Sequence, residues 1–533
     1  MDRPHAALAP PLALALALVA GCGGAFGTVI AASGGSTGEA LTTAADPTTT
    51  TAADTTTGEA PPEGALVTHT FGVRALAPHE ESFPCIQWTV DNDQALYVND
   101  VILSNDGGFH HSNWFVLTED LYPGDDGYFN CSDRGFDEYV AAIQGAVLFA
   151  QSTQSRVEHQ ALPAGVVVKI PPRAKIMTVA HLLNASTAPL ESELRMGLQL
   201  IHPRDVDVVA APFRLSFEDL QIPPKAHSRQ SAACRFDAAY EKLTGKPFDL
   251  RLYHVLPHYH YLGERFTLDI VGGPRDGERI FELDGFNGAA NGKSFDPPID
   301  LSGAEGLRFA CDFYNWTDAQ VGYGVGDQEM CMMLGLADAR GMMNGVVLSG
   351  AKAVGQDQDG TILYEGPCDA LVVPKTPAHT MPTAEEIDAP LYVPPGGGGE
   401  LPPVKPCVDA DPAAMPSVPP TLAALRGALF EPTCAYSSCH GDHPSGSAAG
   451  LSFLAPDLHA ELLGHQVVAD TDLPLITPGD PEASWLYRRV ARCETQDAGG
   501  ALLGPMPLGA PTLVDAGLVA ALREWIAAGA PAE

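Results

Sequence analysis

Apolar and polar positions change rhythm along the chain. From 66 to 374 the rhythm is short. RFTLDIV (265–271) sets Phe266, Leu268 and Ile270 against Thr267 and Asp269, the period-two pattern of a half-buried strand. VVVKI (166–170) and IMTVAHLL (176–183) are short, β-branched runs. Turn signals such as Gly272-Gly273-Pro274 and Asn287-Gly288 lie between runs of this kind. Many short strands over about 310 residues predict two tandem antiparallel β-sandwiches rather than one, at 66–218 and 219–374. After 421 the period lengthens. Leu518, Leu522, Trp525 and Ile526 share one helical face, Thr512 and Asp515 are spaced as a capping box, and Gly529 stands at the end. Leu422, Leu425 and Leu429 repeat the pattern upstream. The chain therefore reads as mainly β, followed by a small all-α domain at 421–533.

Two segments have neither rhythm. Residues 33–64 are Thr, Ala, Gly, Asp and Pro, which cannot bury a core, so 23–65 reads as a disordered linker. A Pro/Gly-rich linker at 375–420, containing PPGGGGELPP, separates the β region from the helical one. No repeat at a solenoid period occurs. The 533 residues carry 30 Lys+Arg against 66 Asp+Glu, a net charge of −36. Phosphate recognition needs a basic footprint, so nucleic acid is excluded as a partner. Solvation alone is the simpler reading of this charge, and any charged partner would be cationic.

Residues 6–20 are almost entirely Ala, Leu, Val and Pro, too short to span a bilayer and right for a signal-peptide core. Arg3, offset by Asp2, makes a weak basic start. Val19-Ala20-Gly21-Cys22 resembles the bacterial lipobox, in which the cysteine becomes the first mature residue and carries lipid. The alternative is an ordinary signal peptide cleaved nearby. The resemblance implies a lipid-anchored protein of the bacterial cell envelope, periplasmic or at the outer membrane, which Gly23 and Gly24 mildly favour. Membrane contact would be by the anchor only. The ten other cysteines suit a disulfide framework in an oxidising space.

Four features of the β region carry chemistry: His110-His111 in FHHSNWFVL, His181 in VAHLLN, His258 and His260 in HYHYLG, and Met330 in GDQEMC. In a strand, positions i and i+2 share a face, so His258 and His260 can meet one metal. Pro257 suits a strand start or edge. Adjacent His110 and His111 need a bulge, a strand end or different ring nitrogens. Lone histidines such as His159, His202, His227, His254 and His379 are read as ordinary polar residues, and Met330 alone would be core.

In their order, H-H, a single His, H-x-H-x-x-G and E-M-C, these features resemble the type II copper, ascorbate-dependent monooxygenases. That family includes the peptidylglycine and dopamine hydroxylating enzymes, and the resemblance covers about residues 66–374. It implies jelly-roll sandwiches and two copper ions. His110, His111 and His181 would hold an electron-storage copper, and His258, His260 and Met330 the copper that meets dioxygen. Imidazole suits both copper oxidation states and a thioether favours copper(I). The family also implies disulfides Cys85–Cys131 and Cys311–Cys331, with Cys234 and Cys368 as the remaining pair. The chain departs at Leu256, where peptide-amidating relatives carry a carboxylate-anchoring Arg, and at Met332, Met333 and Leu334, where they have Asn and Tyr. A peptide with a free C-terminal carboxylate is therefore not the expected substrate.

CAYSSCH places Cys434, Cys439 and His440 after a short helix. The usual c-type haem attachment is C-x-x-C-H; here four residues separate the cysteines. PGDPEASWLYRRV (478–490), GPMPLG (504–509) and REWIAAGAP (523–531) resemble segments of small bacterial cytochrome c-like domains, with Met506 as second axial ligand. The implied cofactor is covalent haem c. The alternative is a Cys434–Cys439 disulfide in a domain without haem, with Cys407 and Cys493 joining a structural framework.

Together these imply a copper monooxygenase. Its partners would be a small-molecule substrate, dioxygen, and an electron donor (ascorbate, a redox protein, or the chain's own haem). A non-catalytic copper/haem electron-transfer lipoprotein and a surface scaffold are the competing readings.

Overall fold

The structure is a computed structural model. It describes residues 64–533 apart from 152–155, 186–188, 261, 285–291, 325–327, 397, 405, 437–438, 442–447, 468–470, 497–501 and 508–513, and apart from the side chains of 110, 111, 139, 143, 151, 448 and 502. The signal sequence, Cys22, most of the first linker, the Asn287-Gly288 turn and Thr512 lie outside the described residues.

The chain is mainly β, with four six-stranded sheets among the described residues. In the first sheet Gly64–Leu76, Leu190–Ile201, Leu96–Asn105, Val166–Ile170 and Val208–Val209 lie side by side, with Val157–Ala161 on Leu96–Asn105. In the second the order is Gly127–Phe129, Cys85–Thr89, Ala174–Leu183, Phe109–Thr118 and Ala146–Gln151, with Glu81–Ser82 on Ala174–Leu183. One apolar core, including Val67, Leu103, Leu198, Trp114, Ile176 and Leu182, is shared by both sheets. Strand alternation builds it. On Ala174–Leu183 the even positions Ala174, Ile176, Ala180 and Leu182 enter this core, while Met177 enters a separate cluster on the other face.

The third sheet runs Lys293–Asp300, Leu250–His258, Met332–Ala339, Ala211–Phe217, Gly341–Val347 and Asp369–Pro374. The fourth runs Arg279–Asp284, Gly263–Val271, Gly306–Asn315, Ala226–Arg235, Ile362–Glu365 and Lys352–Gln356. Their shared core includes Phe213, Leu252, Phe266, Leu268, Phe309 and Met333. Cys234–Cys368 and Cys311–Cys331 link strands of the fourth sheet to residues that lead into strands of the third.

Two expectations need correction. The chain passes from the first pair of sheets to the second at Ala210, not at 218, because Phe213, Leu215 and Phe217 bury into the second core. The sheets are also mixed rather than purely antiparallel. Ala211–Phe217 lies between the two arms of the Met332–Val347 hairpin, so it must run parallel to one of them, Gly341–Val347. Ala226–Arg235 runs parallel to Ile362–Glu365, and Val208–Val209 to Val166–Val167.

The two pairs of sheets touch through the third. Tyr253 and Leu336 join the first core, and Ala150 packs with Leu256 and Leu334. The segment after Pro374 lies along the first pair. Lys169 Nζ donates to Thr380 Oγ1 (3.0 Å), and the Asp93 N–H donates to the Tyr392 hydroxyl (2.9 Å). Leu391, Tyr392 and Val393 pack on the first core.

The C-terminal region has its own apolar core, including Leu425, Leu429, Phe453, Trp485, Leu522 and Trp525. It is built from helices Leu422–Leu425, Leu458–Gly464, Trp485–Ala491 and Ala516–Ala527, with a π-helical turn over Arg426–Cys434. It is not wholly helical, since Thr495–Gln496 pairs with Leu502–Leu503. The last helix starts later than a Thr512 cap implies, because Asp515 accepts from the N–H groups of Gly517 and Leu518. Cys407–Cys493 ties the preceding segment to this core. Among the described residues no helix is long and apolar enough to cross a membrane.

Candidate functional site

His110, His111 and His181 lie on neighbouring strands of the second sheet. His181 is the register partner of His111, while Leu182 pairs with Phe109, so His110 is the extra residue of a β-bulge. The burial of its neighbours says the same. Phe109 enters the first core, and Trp114 Nε1 donates inward to Ser112 Oγ (2.8 Å). Two inward positions are thus three residues apart, which brings positions 110 and 111 onto one face. His181, an odd position on its strand, belongs to the face away from the core. Two adjacent positions can share a face only with such a bulge.

The His181 ring is buried, and its Nε2 meets Glu81 Oε1 at 2.9 Å. Phe83 stacks on it with ring centres 4.3 Å apart. A carboxylate on one imidazole nitrogen fixes the tautomer and raises the basicity of the other, the usual support for a metal-binding histidine. Cys85–Cys131 anchors the neighbouring strand.

The second set is built differently. Leu250–His258 ends at His258, so His260 lies in the turn beyond it rather than on the strand as expected from H-x-H spacing. The two rings still sit together, 5.2 Å between centres and 78° apart. Pro257 pairs on one side with Met333, while the other neighbour, Lys293–Asp300, pairs only as far as Val255.

Glu329 holds this turn. Its buried carboxylate accepts the backbone N–H groups of His260 (2.7 Å), Leu262 (2.7 Å) and Met330 (3.2 Å). His260 Nδ1 donates to the carbonyl of Gln328 (2.7 Å). The loop carrying Met330 is thus laced to the turn carrying His260. Burial pushes the Glu329 carboxyl up, while those three N–H groups pull it back down and favour the carboxylate. Burial pushes His258 down to about 3, with His260 adding to it, and His260 down to about 4. Both imidazoles are therefore neutral at pH 7, the form that binds a metal. Cys331, bonded to Cys311, closes the loop behind Met330.

These observations test whether copper fits. Among the described residues His260 Nε2 is buried without a hydrogen-bond partner, while Nδ1 is held by Gln328. A buried polar atom left this way is costly unless something binds it. Met330 is buried and supplies a thioether in the same laced loop. Among the described residues no three His, Cys, Asp or Glu side chains converge; one set here ends in a methionine, and the other includes two side chains outside the described residues. The donor set fits a soft, imidazole-binding ion.

Two neighbours escaped the sequence reading. Glu329 lay inside the quoted GDQEMC, yet its role depends on three N–H groups that meet only in the fold. Met332 is the register partner of His258, so its thioether lies on the face that His258 shares, and it accepts from the Tyr323 hydroxyl (3.5 Å). Leu256, on the same face two residues before His258, packs against Ala150 at the contact between the two pairs of sheets.

In the C-terminal region neither Cys434 nor Cys439 is in a disulfide, so the expected alternative of a Cys434–Cys439 bond is not made. Burial pushes Cys434 up, so it stays protonated. His440 is buried edge-on to Phe453 (5.4 Å), and Nδ1 meets the Leu451 carbonyl at 3.2 Å, so in the neutral ring Nε2 carries the lone pair. The His440 N–H donates to the Cys434 carbonyl (3.1 Å). Met506 packs on the same core, and its N–H donates to the Arg489 carbonyl (2.7 Å). Two reduced thiols, a neighbouring imidazole and a core thioether are the donor set a covalent haem needs.

No family model matches the chain, and no curated protein matches it. Among solved structures, the major capsid protein P2 of bacteriophage PM2 is similar at 9% identity. That match covers 48% of this chain and 97% of the other, with a TM-score of 0.21. The cowpea mosaic virus top component is similar at 8% identity over 51% and 88%, with a TM-score of 0.22. Likenesses this distant carry no argument about function.

Proposed function

We propose that the chain is an exported, lipid-anchored copper monooxygenase of two tandem jelly-roll sandwiches with a cytochrome c-like C-terminal domain. His110, His111 and His181 would hold one copper, and His258, His260 and Met330 the other. Such ions supply two one-electron reductions and the dioxygen chemistry by which a C–H bond of a small organic substrate gains a hydroxyl. Cys434, Cys439, His440 and Met506 would hold haem c, fed by ascorbate or a redox protein.

The protein's own residues do the positioning. Glu81 orients His181, Gln328 fixes the tautomer of His260, and Glu329 keeps the Met330 loop against the His260 turn. Leu256 and Met332 make the surroundings of His258 apolar, which suits a substrate without a carboxylate at that point. The observation that carries the reading is the buried, unpartnered Nε2 of His260, held in a loop laced to Met330. Metal analysis with reductant-dependent dioxygen uptake tests it. Two coppers per chain, falling to one in Met330→Ala, with uptake on a hydroxylatable substrate, is the expected result. Two coppers without uptake on any substrate would instead support an electron-transfer lipoprotein.

A further inference from the structure

The loop between Cys434 and Cys439 is two residues longer than a C-x-x-C-H motif needs. Among its described residues, two N–H groups meet one carbonyl. Tyr436 O accepts the N–H groups of Cys439 and Gly441, each at 2.9 Å. The side chain of the same residue reaches out of the C-terminal domain. The Tyr436 hydroxyl donates to the carbonyl of Asn184 (3.2 Å) and accepts from His79 Nδ1 (3.1 Å), so both its donor and its acceptor are used.

The receiving surface is tied by hydrogen bonds and lies at the edge that carries His181. Asn184 is buried three residues after His181; its N–H donates to Glu80 O (2.9 Å) and its amide to Ala77 O (2.9 Å). His79 sits in that turn in a left-handed conformation, at φ 59°. Glu81, next along, bonds His181. Burial raises the Tyr436 phenol, and Cys439, Glu81 and Cys434 add to it, which puts all three within electrostatic reach. A second contact steadies the arrangement: Gly450 lies against Trp316 of the second sandwich, so close that a side chain there would meet Nε1 at 3.3 Å.

We propose that Tyr436 is the positioning residue that seats the Cys434–His440 loop on the first sandwich beside His181, and that this face is where the C-terminal domain delivers electrons. The domain is docked rather than swinging on its linker, much of which lies along the first sandwich. The electron-delivery part rests on the reading of both sites as redox centres. One electron leaves the C-terminal centre, which is oxidised by one unit, and reduces the first-sandwich centre by one unit; no bond forms or breaks. An external one-electron reductant of the ascorbate class refills the C-terminal centre. Tyr436, within the lengthened haem motif, thereby becomes a docking finger.

The test uses the full chain and two readouts. Amide hydrogen exchange at Glu80 and Asn184 reports the seat without any cofactor. Anaerobic stopped flow reports how fast ferrous haem is reoxidised by oxidised copper, with haem and copper contents measured alongside. In Tyr436→Ala both amides are expected to exchange about tenfold faster, the change that losing one or two part-buried hydrogen bonds produces. Haem reoxidation is expected to slow by about tenfold or more at unchanged cofactor content. Tyr436→Phe, which keeps the ring, and His79→Ala should each give part of both effects and serve if the alanine variant misfolds. Unchanged exchange overturns the seat. Faster exchange with an unchanged reoxidation rate overturns electron delivery through it. A wild-type chain holding neither haem nor copper overturns the functional reading and the electron step together, while the exchange result still decides the seat.

Discussion

Replacing Glu329 by Gln keeps the shape of the side chain and removes one acceptor oxygen. Three backbone N–H groups converge on the native carboxylate, with those of His260 and Met330 on Oε2 and that of Leu262 on Oε1. In one orientation the amide keeps the first two bonds and sets its NH2 against the Leu262 N–H. In the other it keeps only Leu262. The better orientation leaves one buried N–H unsatisfied, at a cost of about 1–3 kcal/mol. For a domain of this size, each kcal/mol shifts the melting temperature by about 2–4 °C. The second sandwich of the metal-free protein should therefore melt about 2–12 °C lower. The same energy, if spent on holding the Met330 loop against His260, weakens copper at that site by about 5- to 150-fold. Scanning calorimetry and competitive chelator titration read the two effects, and Glu329→Ala, which loses all three acceptors, must be worse on both. Unchanged melting and unchanged copper affinity in Glu329→Gln, or equal losses in Gln and Ala, would refute the claim that these hydrogen bonds hold the site together.

Three further outcomes are expected. His110→Ala keeps the bulge, and deleting residue 110 removes it while leaving fully buried Phe109 opposite Leu182 on the core face, so both should leave melting nearly unchanged; a deletion that costs about 1.5–3 kcal/mol more than the alanine variant in urea unfolding, as turning Phe109 to the wrong face of an unbulged strand would, sinks the bulge assignment. Burial, with Lys375 adding to it, pushes His379 down to about 4, so between pH 6.5 and 4 the unfolded chain takes up a proton the folded one refuses, and stability falls as pH falls. Between pH 7 and 5 that loss is about 2 kcal/mol, so the deficit of His379→Asn against wild type in urea unfolding should shrink on acidification; a constant deficit would contradict it. Haem that survives denaturation, seen as a pyridine haemochrome, should drop in Cys434→Ala and in Cys439→Ala, and retention in the double variant would rule out attachment there.

How much of this was legible depended on whether a feature is set by neighbours along the chain. The strands Val166–Ile170, Ala174–Leu183 and Gly263–Val271 follow from alternation that a reader can count. Leu518, Leu522, Trp525 and Ile526 follow from the helical period and are all buried. The pairings Cys85–Cys131, Cys234–Cys368 and Cys311–Cys331 came from the family resemblance, and the structure makes the same three bonds. His260 was misplaced because the period-two rule knows nothing of the turn that Glu329 imposes. The start of the second sandwich was misplaced because Ala211–Phe217 takes its sheet from a hairpin more than a hundred residues later. Tyr436 was passed over, although the surplus length of its loop was the available signal.

The two candidate metal sets also differ in how they are made, which sets the order in which they should fail. The first is an irregularity inside one sheet: His110 and His111 take their places from the ladder with Ala174–Leu183, and losing them means breaking that ladder and exposing Phe109 and Leu182. The second is a loop set against a turn, held by one buried carboxylate and one disulfide. Segments with few ladder bonds open at lower free energy than the sheets they leave. Heating or mild denaturant should therefore release the Met330 loop while the His181 edge is still intact. Because the C-terminal domain is seated on that edge through Tyr436, the contact between the two domains should outlast the second site rather than go with it.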